Sequence, residues 1–140
     1  MTWKDIAASV KSAALSGLWP NIRAFYDEGV YILNERDNWK MNYATVILDL
    51  QSATVTEDTT TFNVLLWYID RQKEDRSDIN NILSDAIMTL GEMANWMRYN
   101  LQDVFITTDM IVTPFQDRFA DECAGASISI NLSTVHNKLC

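Results

Sequence analysis

Between residues 77 and 100, Ile79, Ile82, Leu83, Ala86, Ile87, Leu90, Met93, Ala94 and Met97 recur at three- and four-residue intervals. That spacing lines one face of an α-helix and has no counterpart in a strand, whose repeat is two. The pattern predicts a helix over 77–100, with Ser77 as N-cap and Asp78 just inside the positive end of its dipole. An amphipathic helix of this length needs an apolar surface to lie on, and the flanking sequence supplies it by changing period. Val46, Leu48 and Leu50 fall on one face while Thr45 and Asp49 fall on the other. "TFNVLLWYID" at 61–70 is apolar on both faces at its centre, as an interior strand requires. Beyond the helix, "VFITTDMIVTPF" at 104–115 and then 117–135 read as further β structure. In the last of these Ile128, Ile130 and Leu132 point inward and Ser127, Ser129 and Asn131 outward, and the strand is expected to be edge-capable.

Thr2-Trp3-Lys4-Asp5 fits a capping box, and Trp3, Ile6, Val10, Ala13, Ala14 and Leu18 continue at helical spacing. A first helix over about 3–16 follows, with Gly17 as a stop and Trp19-Pro20 as the turn. Residues 25–34 suit a strand with a Gly29 bulge, 35–42 a polar loop, and "TEDTT" at 56–60 a turn or projecting tip. Pro114 is expected to end one strand, and Gly125 to permit a bend or bulge in the next. The order predicts a single α+β domain over 1–140, a mainly antiparallel sheet of four to five strands. The N-terminal helix and the long central helix would pack on one face.

Composition narrows the function classes. A net charge of −8 with no basic cluster argues against direct nucleic-acid binding, which needs several Lys or Arg on one face. The apolar runs are too short to span a bilayer. The first residues carry Asp5 and no continuous apolar stretch, so the expectation is a cytoplasmic start that enters a helix directly. Two cysteines set far apart are too few for a disulfide framework.

The densest reactive-looking stretch is "TPFQDRFADECAGASISINL" at 113–132. Asp117, Asp121 and Glu122 could be imagined as a carboxylate site for Mg²⁺ or acid–base work. Such a site generally draws a partner from another element, and nothing in the spacing of Asp70, Asp75 or Asp109 ties them to it. Solvated charges at a turn are the alternative. Cys123, His136 and Cys140 lack the close cysteine pair of a structural zinc site. No phosphate cradle or nucleophile elbow is present. No reaction, cofactor or metal is indicated.

The aromatic residues are more informative: five Trp, five Tyr and five Phe, several at predicted loops or element ends. Trp96 and Tyr99 lie off the main apolar stripe of the long helix, and exposed aromatics mark protein–protein contact better than catalysis. Two stretches also carry a family likeness, "LLWYIDRQKEDRSDINNILSDAIMTLGEM" at 65–93 and "ITTDMIVTPFQDRFADECAGASISINL" at 106–132. A strand ending in Asp-Arg leads through a charged turn to the start of a long helix. Later, Pro-Phe-x-x-Arg-Phe-x-Asp and an Ala-Gly pair introduce the last strand. In these features and in element order the chain resembles tail-terminator and head–tail connector proteins of tailed bacteriophages, as found in phages of Bacteroidota, crAss-like phages among them. Relatives often place an aromatic after the Ala-Gly pair, where Ala126 stands here.

The resemblance implies a tail-terminator-like fold and a virion structural protein, made in the host cytoplasm and built into the tail or neck. It would form a homo-oligomeric ring, commonly six- or twelve-fold, between neighbouring portal, ring or tail proteins. DNA would pass through the lumen without specific binding, and no catalytic residues carry over. Glu57 and Asp58 are the candidate lumen contacts, on a hairpin tip. Trp39, Trp96, Tyr99, Phe115, Phe119, Ile128 and Ile130 are the candidate subunit contacts. A small accessory enzyme using Asp117, Asp121 and Glu122, or a host-directed adaptor using the aromatics, are the alternatives.

Overall fold

The computed structural model describes residues 2–27, 43–72, 77–101, 103–106, 110–118 and 123–135, and of 117 and 118 the backbone. The Gly29 bulge, the 35–42 loop, Asp75, Asp109, His136 and Cys140 lie outside these residues. In chain order the elements are α1 (Trp3–Ala14), β1 (Ala24–Tyr26), β2 (Thr45–Val55) and β3 (Thr59–Arg71). They are followed by α2 (Ile79–Asn100), β4 (Val104–Ile106), β5 (Val112–Arg118) and β6 (Cys123–Val135).

α1 starts at the expected capping box. Thr2 Oγ1 accepts from the Asp5 N–H at 3.2 Å, and Asp5 Oδ2 accepts from the Thr2 N–H at 3.1 Å. Two of the orphan donors at the helix start are thereby satisfied reciprocally. Gly17, at φ 94, then turns the chain in a conformation that side chains disfavour. α2 begins later than its sequence suggests. Asp78, not Ser77, is the N-cap, and its side chain makes no capping bond. Packing of Ile82 and the residues that follow it, more than a local cap, sets this start.

Among the described residues the sheet has six strands in the order β1-β2-β3-β6-β4, with β5 also on β6. β1 and β2 pair in parallel, from Ala24 opposite Thr45 to Tyr26 opposite Ile47. All other pairs are antiparallel. The sheet is therefore mainly antiparallel, as expected, but mixed through one parallel pair, with six strands where four to five were expected. β6 pairs with β3 along its whole length on one side. On its other side β5 covers Cys123–Ile128 and β4 covers Leu132–Thr134, together forming one interrupted edge strand. So β6 is interior and not the edge expected of it. Alternation reports which face a residue takes and says nothing about how many neighbours a strand has. Pro114 does not end a strand either; it sits within β5 opposite Ala126. Among the described residues β5 pairs with β6 alone, and such an edge tolerates the missing N–H.

Both helices cover one face of the sheet. Ile6 and Val10 of α1 and Leu90, Met93 and Met97 of α2 close over Val46, Leu48, Val64, Leu66, Ile128, Ile130 and Leu132. The opposite face holds a smaller cluster at one end: Ile47, Trp67, Ile69 and Cys123, with Tyr26, Tyr43, Leu65 and Phe115 against it. Toward the other end that face turns polar along Thr61, Asn63, Ser129, Asn131 and Ser133. There Thr61 Oγ1 and Ser133 Oγ lie 2.9 Å apart. No helix among the described residues is long and apolar enough to cross a membrane.

Candidate functional site

Three surface features could carry function, and each is positioned by the sheet-and-helix frame. The first is the β2–β3 hairpin tip. Thr56 and Thr59 close the turn through a Thr56 N–H to Thr59 carbonyl bond at 2.8 Å and a Thr59 N–H to Thr56 Oγ1 bond at 3.0 Å. The two hydroxyl oxygens lie 2.8 Å apart. This clasp holds Glu57 and Asp58 at the apex, both exposed. The chain from Gln51 to Asp58 is exposed throughout, so the hairpin leaves the covered part of the sheet with two carboxylates at its end.

The second feature is a groove on the helix layer. Small residues of α1 and the segment after it, among them Ser9, Ser12, Ala13 and Ser16, face Trp96 and Asn100 of α2 across a cavity of about 540 Å³. Small side chains keep the two helices from filling this space. Trp19 packs edge-on against Trp96, with ring centroids 6.1 Å apart. The Asn100 amide donates to the Trp96 carbonyl at 2.9 Å. Leu18 and Tyr99 flank the groove and are 58% and 80% exposed.

The third feature is a polar cavity of about 280 Å³ at the end of the sheet opposite the hairpin tip. Asn21 and Arg23 precede β1, Tyr43 precedes β2, Tyr68 and Asp70 close β3, and Asp85 comes from α2. Burial raises the Asp70 pKa first, and the carboxylates of Asp78 and Asp85 add to it. The backbone N–H of Arg71, donating at 2.8 Å, and the Arg23 charge oppose that shift. Tyr68 is likewise pushed up, chiefly by burial and then by Asp70 and Asp85. These residues are far apart in sequence, so spacing did not reveal the cavity. Two signals do point to it: Asp70 ends an apolar strand, and Asp85 interrupts the helical stripe between Ile82 and Ala86.

The residues singled out in the sequence scatter across this frame. Glu57 and Asp58 occupy the hairpin tip as expected. Trp96 is half-buried against Trp19 and Tyr99 is exposed, both at the groove. Phe115 is half-buried and edge-on to Trp67, with centroids 5.7 Å apart, so much of its surface serves the fold. Ile128 and Ile130 are 2% and 0% exposed beneath the helices and are core residues, which replaces the subunit contact expected of them. Trp39, Phe119, Asp121 and Glu122 lie outside the described residues, as does the side chain of Asp117. Among the described residues no three His, Cys, Asp or Glu side chains gather closely enough to hold a metal ion. Comparison with protein-family models and with curated proteins gives no match to the chain.

Proposed function

We propose that the chain is a virion structural protein of the tail-terminator type, a subunit of a ring in the portal–tail connector of a tailed phage. The observation that carries this reading is the exposed β2–β3 hairpin with Glu57 and Asp58 at its clasped apex. Repeated around a ring, such tips would line a lumen with carboxylates. A like-charged wall repels the phosphate backbone and keeps it hydrated, so DNA slides without being held. The net charge of −8 acts in the same sense. The aromatic groove between α1 and α2 offers a surface for a neighbouring subunit or an adjoining ring protein.

Mass photometry of particle-extracted protein tests the ring: a discrete multi-subunit mass is expected, and a monomer at every concentration overturns it. Replacing Glu57 and Asp58 together by lysine tests the lumen. Rings should still assemble while DNA release slows, and normal ejection kinetics would remove the hairpin from the channel wall.

A further inference from the structure

The polar cavity sets two carboxylates and a buried phenol against a single guanidinium. Tyr68 is 1% exposed, yet its side chain lines the cavity, and its hydroxyl makes no hydrogen bond among the described residues. Asp70 has one oxygen engaged by the Arg71 N–H at 2.8 Å. The Asp85 carboxylate, half-buried on α2, takes no hydrogen bond or ion pair among the described residues. Arg23 is exposed and forms no ion pair with either carboxylate, although it lies close enough to favour ionised Asp70. A buried phenol and two carboxylates thus converge on space that nothing in the described chain fills.

We propose that this cavity receives one organic cation, an alkylammonium or guanidinium group, carried either by a small molecule or by a basic side chain of another copy of the chain. A group that carries positive charge and only donates satisfies carboxylate and phenol oxygens together. An anion would meet two carboxylates against a single guanidinium, and an apolar ligand would meet an almost wholly polar wall. A divalent ion would want more acidic ligands than converge here. The volume of about 280 Å³ suits a group the size of a side chain and is small for a nucleotide.

The test is NMR titration of protein labelled with ¹³C-tyrosine, using agmatine, ethylamine, magnesium chloride and sodium chloride as probes. The Tyr68 ring signals, assigned with Tyr68→Phe, should shift saturably with both amines, with Kd of about 1 mM or tighter. Tyr68→Phe removes an unbonded hydroxyl and should fold normally. In Asp85→Asn the affinity should fall about tenfold. A shift that is linear and shared with sodium chloride overturns the proposal, as does saturation by magnesium alone or undiminished affinity in Asp85→Asn. Amine binding seen only in Arg23→Ala would show that Arg23 itself fills the cavity, and also overturns it. Mass photometry in saturating agmatine separates the sources. Dissociation of the assembly supports a neighbouring copy's side chain as the natural occupant; an unchanged mass supports a free small molecule.

Discussion

Asp70 shows how a single carboxylate can work against the fold that holds it. Burial raises its pKa, so the folded chain keeps the Asp70 proton more tightly than the unfolded chain does. Stability therefore falls as pH rises from the ordinary value of 3.8 through the raised one, and stays reduced above it. Asp70→Asn keeps an acceptor for the Arg71 N–H and removes the charge. Urea unfolding near neutral pH should show the variant more stable than the parent, with the difference vanishing below 3.8. Equal stability at neutral pH would mean that solvent reaches Asp70 freely. Asp5 acts in the opposite sense. Its bond from the Thr2 backbone lowers its pKa, so its contribution is present above 3.8 and is lost as pH falls through the lowered value.

At the scale of elements, β3 and β6 approach each other closely at Gly125. A Cβ there would collide with the Tyr68 carbonyl oxygen and lie 2.9 Å from the carbonyl carbon, both backbone atoms of the neighbouring strand. Gly125→Ala must push two interior strands apart, and it should cost about 3 kcal/mol in chemical denaturation. A cost near zero would show that the strands part easily. The element types were legible because their periods are strong: the α2 stripe from Ile82 to Met97, and the inward Ile128, Ile130 and Leu132 of β6. The close approach at Gly125 was not, because a glycine in a strand pattern equally suits a bulge. On this side of β6 a register irregularity instead falls next door, between Phe115 and Arg118 of β5. β1, three residues long and paired in parallel, was legible only as a possible strand, since its partner is chosen across the sheet.

For the whole molecule, the groove between α1 and α2 is the surface on which the proposed assembly can be tested apart from folding. Leu18 and Tyr99 are exposed, so Leu18→Asp with Tyr99→Asp should alter folding stability by no more than about 1 kcal/mol. If subunits meet there, the double variant should remain monomeric in mass photometry, and intact rings would move the contact elsewhere. Sheet order left no mark in the sequence, and the polar cavity left only the out-of-place Asp70 and Asp85, for one reason: each is made by residues that meet only after the chain closes on itself. Arg23, Tyr68 and Asp85 carry no shared pattern, and β6 carries no mark of lying between β3 and the β4–β5 edge. That placement also sets the timing of folding. β3 is bare on one side until Cys123–Val135 has been synthesised, and Thr61 then meets Ser133 across a separation of 72 residues. On the ribosome the hairpin and α2 must wait for the last strand with an apolar sheet edge uncovered. Contacts so distant in sequence make for slow folding, and this interval is when the chain is most open to aggregation or to a chaperone.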